Sequence, residues 1–80
     1  MNAKQAVARR IQALCLERKM AINALANLSG VAPSTIYSML NAKSKNPGVI
    51  SIQKICDGLE ISVRDFFNDP LFEGLEQEIK

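Results

Sequence analysis

The sequence predicts an all-α fold: five helices around one core, with an additional short helix at the C-terminal end. Three observations carry that expectation. Apolar residues recur three and four positions apart in segment after segment, the period of a helix with one buried stripe. Glycine, proline and polar clusters separate those segments. The 80 residues are 48% apolar and 22% charged, close to the globular average and unlike a disordered chain, and that length accommodates a single core.

Ala6, Val7, Ile11, Leu14 and Cys15 share one stripe, which predicts a first helix over 3–18 with Lys4, Arg9, Glu17 and Arg18 outward and Lys19 at its end. A shorter helix fits 21–28, with Ile22, Leu25 and Ala26 inward. Ser29-Gly30 ends it, because glycine adopts the left-handed backbone of a tight C-cap. Val31 returns the chain to the core, and Ala32-Pro33 opens a third helix, proline being favoured where its missing N–H would be unpaired in any case. That helix runs to about Asn41 and buries Ile36 and either Met39 or Leu40.

The polar, doubly basic stretch 42–48 reads as a loop closed by Pro47-Gly48. Val49, Ile52, Ile55, Cys56 and Leu59 then mark a fourth helix that ends near Gly58, and Ser62 caps a short fifth helix through Phe67, with Ile61 and Phe66 inward. Residues 1–67 form the expected globular unit. Asp69-Pro70 starts a C-terminal amphipathic helix over 68–80, whose apolar side is Leu71, Phe72, Leu75 and Ile79. So short a helix is marginal alone, so it either folds back on its own domain or meets its copy in a dimer.

Chemistry is constrained by what the composition lacks. Histidine is absent and the cysteines, Cys15 and Cys56, stand far apart, which leaves no metal-ligand spacing, disulfide framework or usual nucleophile–base pair. Both cysteines fall on inward stripes and read as inert core residues. No glycine loop for phosphates occurs. The sequence therefore predicts no enzyme, no cofactor and no small-molecule substrate. The uncharged run from Met20 to Ala42 contains Asn23, Asn27, Ser29, Pro33 and several hydroxyls, so no membrane segment is expected, and without an apolar leader a cytoplasmic location is.

Charge divides unevenly. Residues 1–56 hold eight basic side chains and one acid, a net +7, whereas 57–80 hold seven acids and two bases, a net −5. A basic body with an acidic tail suggests a polyanionic partner.

Within that body, Leu25-Ala26, Gly30-Val31, Ile36 and Met39 have the spacing of a helix-turn-helix over about 21–41: Ala26 permits close helix crossing, Gly30 makes the turn, and Leu25, Val31 and Ile36 fill the wedge. With Asn46-Pro47, Val49, Ile52, Ile55, Leu59, Ile61, Ser62 and Phe66-Phe67 following in register, residues 5–67 resemble the phage repressor and Cro type helix-turn-helix family, a lambda-repressor-like domain. The resemblance implies that the third helix enters the major groove of double-stranded DNA, that the protein acts as a homodimer on paired half-sites, and that it regulates transcription, as a repressor or antitoxin-like autoregulator. A protein-interaction module on the same fold, with weak or no DNA binding, is the alternative.

Carried onto this chain, the base-facing residues are Pro33, Ser34, Tyr37 and Ser38, with Ala32 and Thr35 nearby. The phosphate-contacting ones are Asn23, Lys43 and Lys45, with the N–H groups opening the second and third helices. Four positions depart from the family: Ile22 stands where relatives often have Gln, Cys15 and Leu40 stand where some relatives bury an Arg and Glu pair, and Ala42 stands where a Gly is common, which makes Asn41 the expected left-handed cap. Because the third helix lacks Arg, Lys and Gln, direct base readout is expected to be modest.

Overall fold

A computed structural model describes residues 1–41 and 46–79, and among these there are five α-helices and no strand: α1 (Ala3–Glu17), α2 (Ile22–Ser29), α3 (Pro33–Leu40), α4 (Val49–Leu59) and α5 (Val63–Phe67), followed by a 3₁₀ turn at Pro70–Phe72. The start of α1 is fixed by a reciprocal cap in which Asn2 Oδ1 accepts from the Gln5 N–H at 2.8 Å and Gln5 Oε1 accepts from the Asn2 N–H at 3.0 Å. Ser62 Oγ does the same service for α5, accepting from the Asp65 N–H at 2.9 Å.

One apolar core is shared by all five helices. Val7, Ile11, Leu14 and Cys15 come from α1, Leu25 and Ala26 from α2, Ile36 and Met39 from α3, Ile52, Ile55, Cys56 and Leu59 from α4, and Phe66 from α5. Met39 is the buried member of the Met39/Leu40 pair, and Leu40, like Ile22, Val31 and Ile61, packs on the core while staying partly exposed. Burial pushes the Cys15 thiol up. The Cys56 thiol is raised first by burial and then by the Asp57 carboxylate, so neither is disposed to ionise.

Several expectations change. The C-terminal helix over 68–80 is replaced by the three-residue 3₁₀ turn, because Gly74 takes a left-handed φ of 66° and leaves too few residues beyond it to nucleate another helix. Phe72 still packs on the core and meets the Phe66 and Phe67 rings at 6.2 and 4.8 Å, whereas Ile79 is 89% exposed. Asn41 is extended, with φ −87° and ψ 122°, and does not form a left-handed cap. Val49 lies in the first turn of α4, beyond the reach of the core, and is exposed.

α4 ends at Leu59, next to Gly58 as expected, and the left-handed residue that follows it is Glu60, with φ 58°. Gly58 lies where α2 crosses α4: a Cβ there would come within 2.9 Å of the Leu28 carbonyl carbon and oxygen and of Ser29 Oγ. Absence of a side chain lets the two backbones approach this closely.

A second long-range tie joins α1 to the end of the fold. The Arg10 guanidinium donates through Nε to the Phe66 carbonyl at 2.7 Å, through one terminal nitrogen to the Asp65 carbonyl at 3.0 Å, and through the other to Asp69 Oδ2 at 3.1 Å. Asp69 Oδ1 meanwhile accepts from the Leu71 N–H at 2.9 Å. One planar cation thus satisfies carbonyls at the C-terminal end of α5 and anchors the 3₁₀ turn.

Four outcomes follow for stability, all readable by chemical denaturation. Gly58→Ala should destabilise by about 1–3 kcal/mol although alanine is the better helix former, while Glu60→Gly should stabilise by about 1 kcal/mol by relieving a left-handed residue. Arg10→Met should lose about 2–3 kcal/mol, and Arg10→Lys should recover only part of it because a single ammonium cannot span three acceptors.

Candidate nucleic-acid interface

Local chemistry explains how α3 is presented. Gly30 closes α2 with φ 68° and ψ 28°, and the Val31 N–H reaches back to the Ala26 carbonyl at 3.2 Å, so the chain reverses within a few residues. Leu25, Ala26 and Ile36 are completely buried in the wedge between the two helices. With Pro33 at its first position, α3 then runs with Ile36 and Met39 inward, which turns Pro33, Ser34, Tyr37 and Ser38 outward. All four residues expected to face bases are exposed on this surface, as is Ala32, while Thr35 is half-buried. Tyr37 is 54% exposed, a large aromatic area for a surface residue.

The surface is uncharged. Neither α2 nor α3 carries an ionisable group other than Tyr37, so any field there comes from helix ends and neighbouring segments. Asn23 is exposed in the first turn of α2. Lys43 and Lys45 lie outside the described residues.

Helix starts divide into two kinds. Those of α1, α5 and the 3₁₀ turn are capped by Asn2, Ser62 and Asp69, whereas α2, α3 and α4 begin after Ala21, Ala32 and Gly48, with no side-chain cap and no acid in the first turn. First-turn N–H groups lacking an internal acceptor suit an anion. The α4 start was not among the expected contacts. Its signal in the sequence was Gly48 itself, read there as a breaker, although a helix opening on Gly-Val-Ile offers no side-chain acceptor. Ser34, Thr35 and Ser38 of α3 and Gly48 and Ser51 at the α4 start line one open, hydroxyl-rich cleft, which brings the outer face of α3 and the α4 start together.

The tail residues divide in the same way. Leu71, Phe72 and Leu75 are half-buried, and the Glu76 N–H donates to the Met1 carbonyl at 3.2 Å while its carboxylate lies 3.7 Å from the N-terminal ammonium. Ile79 joins none of this packing. Among the described residues there is no group of ligating side chains able to hold a metal ion and no helix long and apolar enough to cross a membrane.

The model of the Cro/C1-type HTH DNA-binding domain family matches residues 10–70 of the chain. Among solved structures, one described as the crystal structure of the prophage Lp1 protein 11 is similar, with 33% sequence identity over 94% of this chain and 100% of that one and a TM-score of 0.81. No curated protein sequence matches. The chain belongs to the Cro/C1-type helix-turn-helix DNA-binding domain family.

Because Tyr37 contributes nothing to the core, Tyr37→Ala should change folding stability by less than about 0.5 kcal/mol in a denaturant titration. The same variant should bind duplex DNA more weakly than the parent in a titration at matched ionic strength.

Proposed function

We propose that this Cro/C1-type domain is a transcriptional repressor that places α3 in the major groove of double-stranded DNA and acts as a homodimer on paired half-sites in the cytoplasm. The single observation that carries this reading is the arrangement around α3: an exposed ridge of hydroxyls and one aromatic, joined through a polar cleft to the uncapped start of α4. Three further features support it. The ridge carries no carboxylate to repel phosphate, the first 56 residues hold a net +7, and the acidic residues concentrate in the last 24.

In this reading phosphates supply most of the affinity, through Lys43, Lys45, Asn23 and the first-turn N–H groups of α2, α3 and α4. Pro33, Ser34, Tyr37 and Ser38 meet the base edges. A uniformly neutral α3, with Ile22 at the position where relatives often place Gln, also favours a second reading, a protein-interaction module that has lost DNA binding.

Titrating the purified chain with random duplex DNA at two salt concentrations separates the two. The DNA reading expects steep weakening with salt, and it expects the double variant Lys43→Ala/Lys45→Ala to flatten the logarithmic slope by about 1.8, since each neutralised phosphate contributes about 0.9. Absence of binding at low salt sinks it in favour of the protein-interaction module. Enrichment of a palindrome, together with a sedimentation mass of two chains, supports the homodimer.

A further inference from the structure

The composition of the α3 surface bears on which sequences the chain selects, an inference that rests on the DNA-binding reading above. Helical periodicity sets its exposed side chains in two rows, Pro33 with Tyr37 and Ser34 with Ser38, each pair one turn apart. The first row is a pyrrolidine ring and a phenol ring, with the Ala32 methyl just before it. The second is hydroxyl-bearing.

Against the major groove these rows have unequal discriminating power. Guanine is singled out by Arg or Lys on O6 and N7, and adenine by Asn or Gln on N6 and N7. Within α3 none of those four residue types is present, and Asn41 leaves the helical path with an extended backbone. A serine hydroxyl rotates to serve as donor or acceptor and so accepts either kind of base edge. What remains distinctive on a base pair is the thymine C5 methyl, an apolar group to which an apolar side chain can add contact.

We propose that the Pro33–Tyr37 row selects thymine methyls, so that the half-site is defined by the positions of thymines and α3 reads no guanine directly. The aromatic ring is the principal contact. Its exposure of 54% leaves an apolar area on the outer face that burial against a methyl removes from water.

The full chain is used to enrich a duplex from a random pool, and each thymine of the recovered half-site is then replaced singly by deoxyuridine, which lacks only the methyl. Each guanine is replaced in turn by 7-deazaguanine, which lacks the N7 acceptor. The proposal expects about a fourfold loss of affinity for deoxyuridine at one or two positions, the effect of one methyl-sized group, and no loss for 7-deazaguanine. Tyr37→Ala should abolish the thymine preference at one of those positions, while Tyr37→Phe, which keeps the ring, should retain it.

Equal affinity for thymine and deoxyuridine throughout overturns the proposal, as does a loss confined to 7-deazaguanine sites. So does a Tyr37→Phe variant that loses the thymine preference as completely as Tyr37→Ala. In each of these cases DNA binding itself still stands. Failure to bind any duplex at low salt overturns the DNA-binding reading and this inference with it.

Discussion

The backbone of α2 rests on α4 at Gly58, where even one added carbon would stand 2.9 Å from the Leu28 carbonyl. This close approach, more than the turn at Gly30, determines where the helix-turn-helix sits on the domain. Held against α4 by its backbone, α2 carries α3 through a wedge filled by Leu25, Ala26 and Ile36. With that wedge closed, Ile36 and Met39 have only one direction to face, and the outer ridge of α3 follows from it. The hydroxyl cleft between α3 and the α4 start depends on the same placement, since both of its walls are attached to this crossing.

Arg10 completes the frame from the other side. Its guanidinium joins α1 to the last turn of α5 and, through Asp69, to the 3₁₀ turn, so the C-terminal segment is fastened to the domain by charge-assisted hydrogen bonds as well as by Phe72. Such a tie suits a small domain, in which α5 has only five residues and one fully buried ring to hold it. At Cys15 and Leu40, where the resemblance implies an Arg and Glu pair in some relatives, this chain places apolar side chains. Replacing an ion pair by packed apolar groups is often neutral or stabilising.

Helix starts show how one physical requirement is met in two ways. Where a helix only has to be stable, at α1 and α5, a side chain accepts the first N–H groups. At α2, α3 and α4 the cap is alanine or glycine, and stability that a Ser or Asp would have added is forgone. Phosphate acceptance at those ends accounts for that choice within the proposed function. Within the same reading the neutral ridge of α3 limits selectivity, because hydroxyls and an aromatic ring lack the paired hydrogen bonds that fix a purine.

Much of this was legible in the sequence. Apolar periodicity located α1, α2, α4 and the core residues Ile11, Leu14, Leu25, Ile36, Ile55 and Phe66, because burial of a stripe is a local pattern repeated along one helix. Pro33 and Gly30 marked their helix ends through backbone restrictions of their own, and the set Pro33, Ser34, Tyr37 and Ser38 came from the resemblance to the repressor and Cro type family; all four are exposed. Other features were decided only by contacts between distant segments. Nothing local told of the close approach at Gly58 until α2 was placed beside it, and Arg10 counted only toward the net charge until α5 supplied its carbonyls. The tail stripe Leu71, Phe72, Leu75 and Ile79 had helical spacing. Yet Gly74 turned left-handed and only the residues able to reach the core packed there, since periodicity records which residues avoid water but not which neighbour they will find.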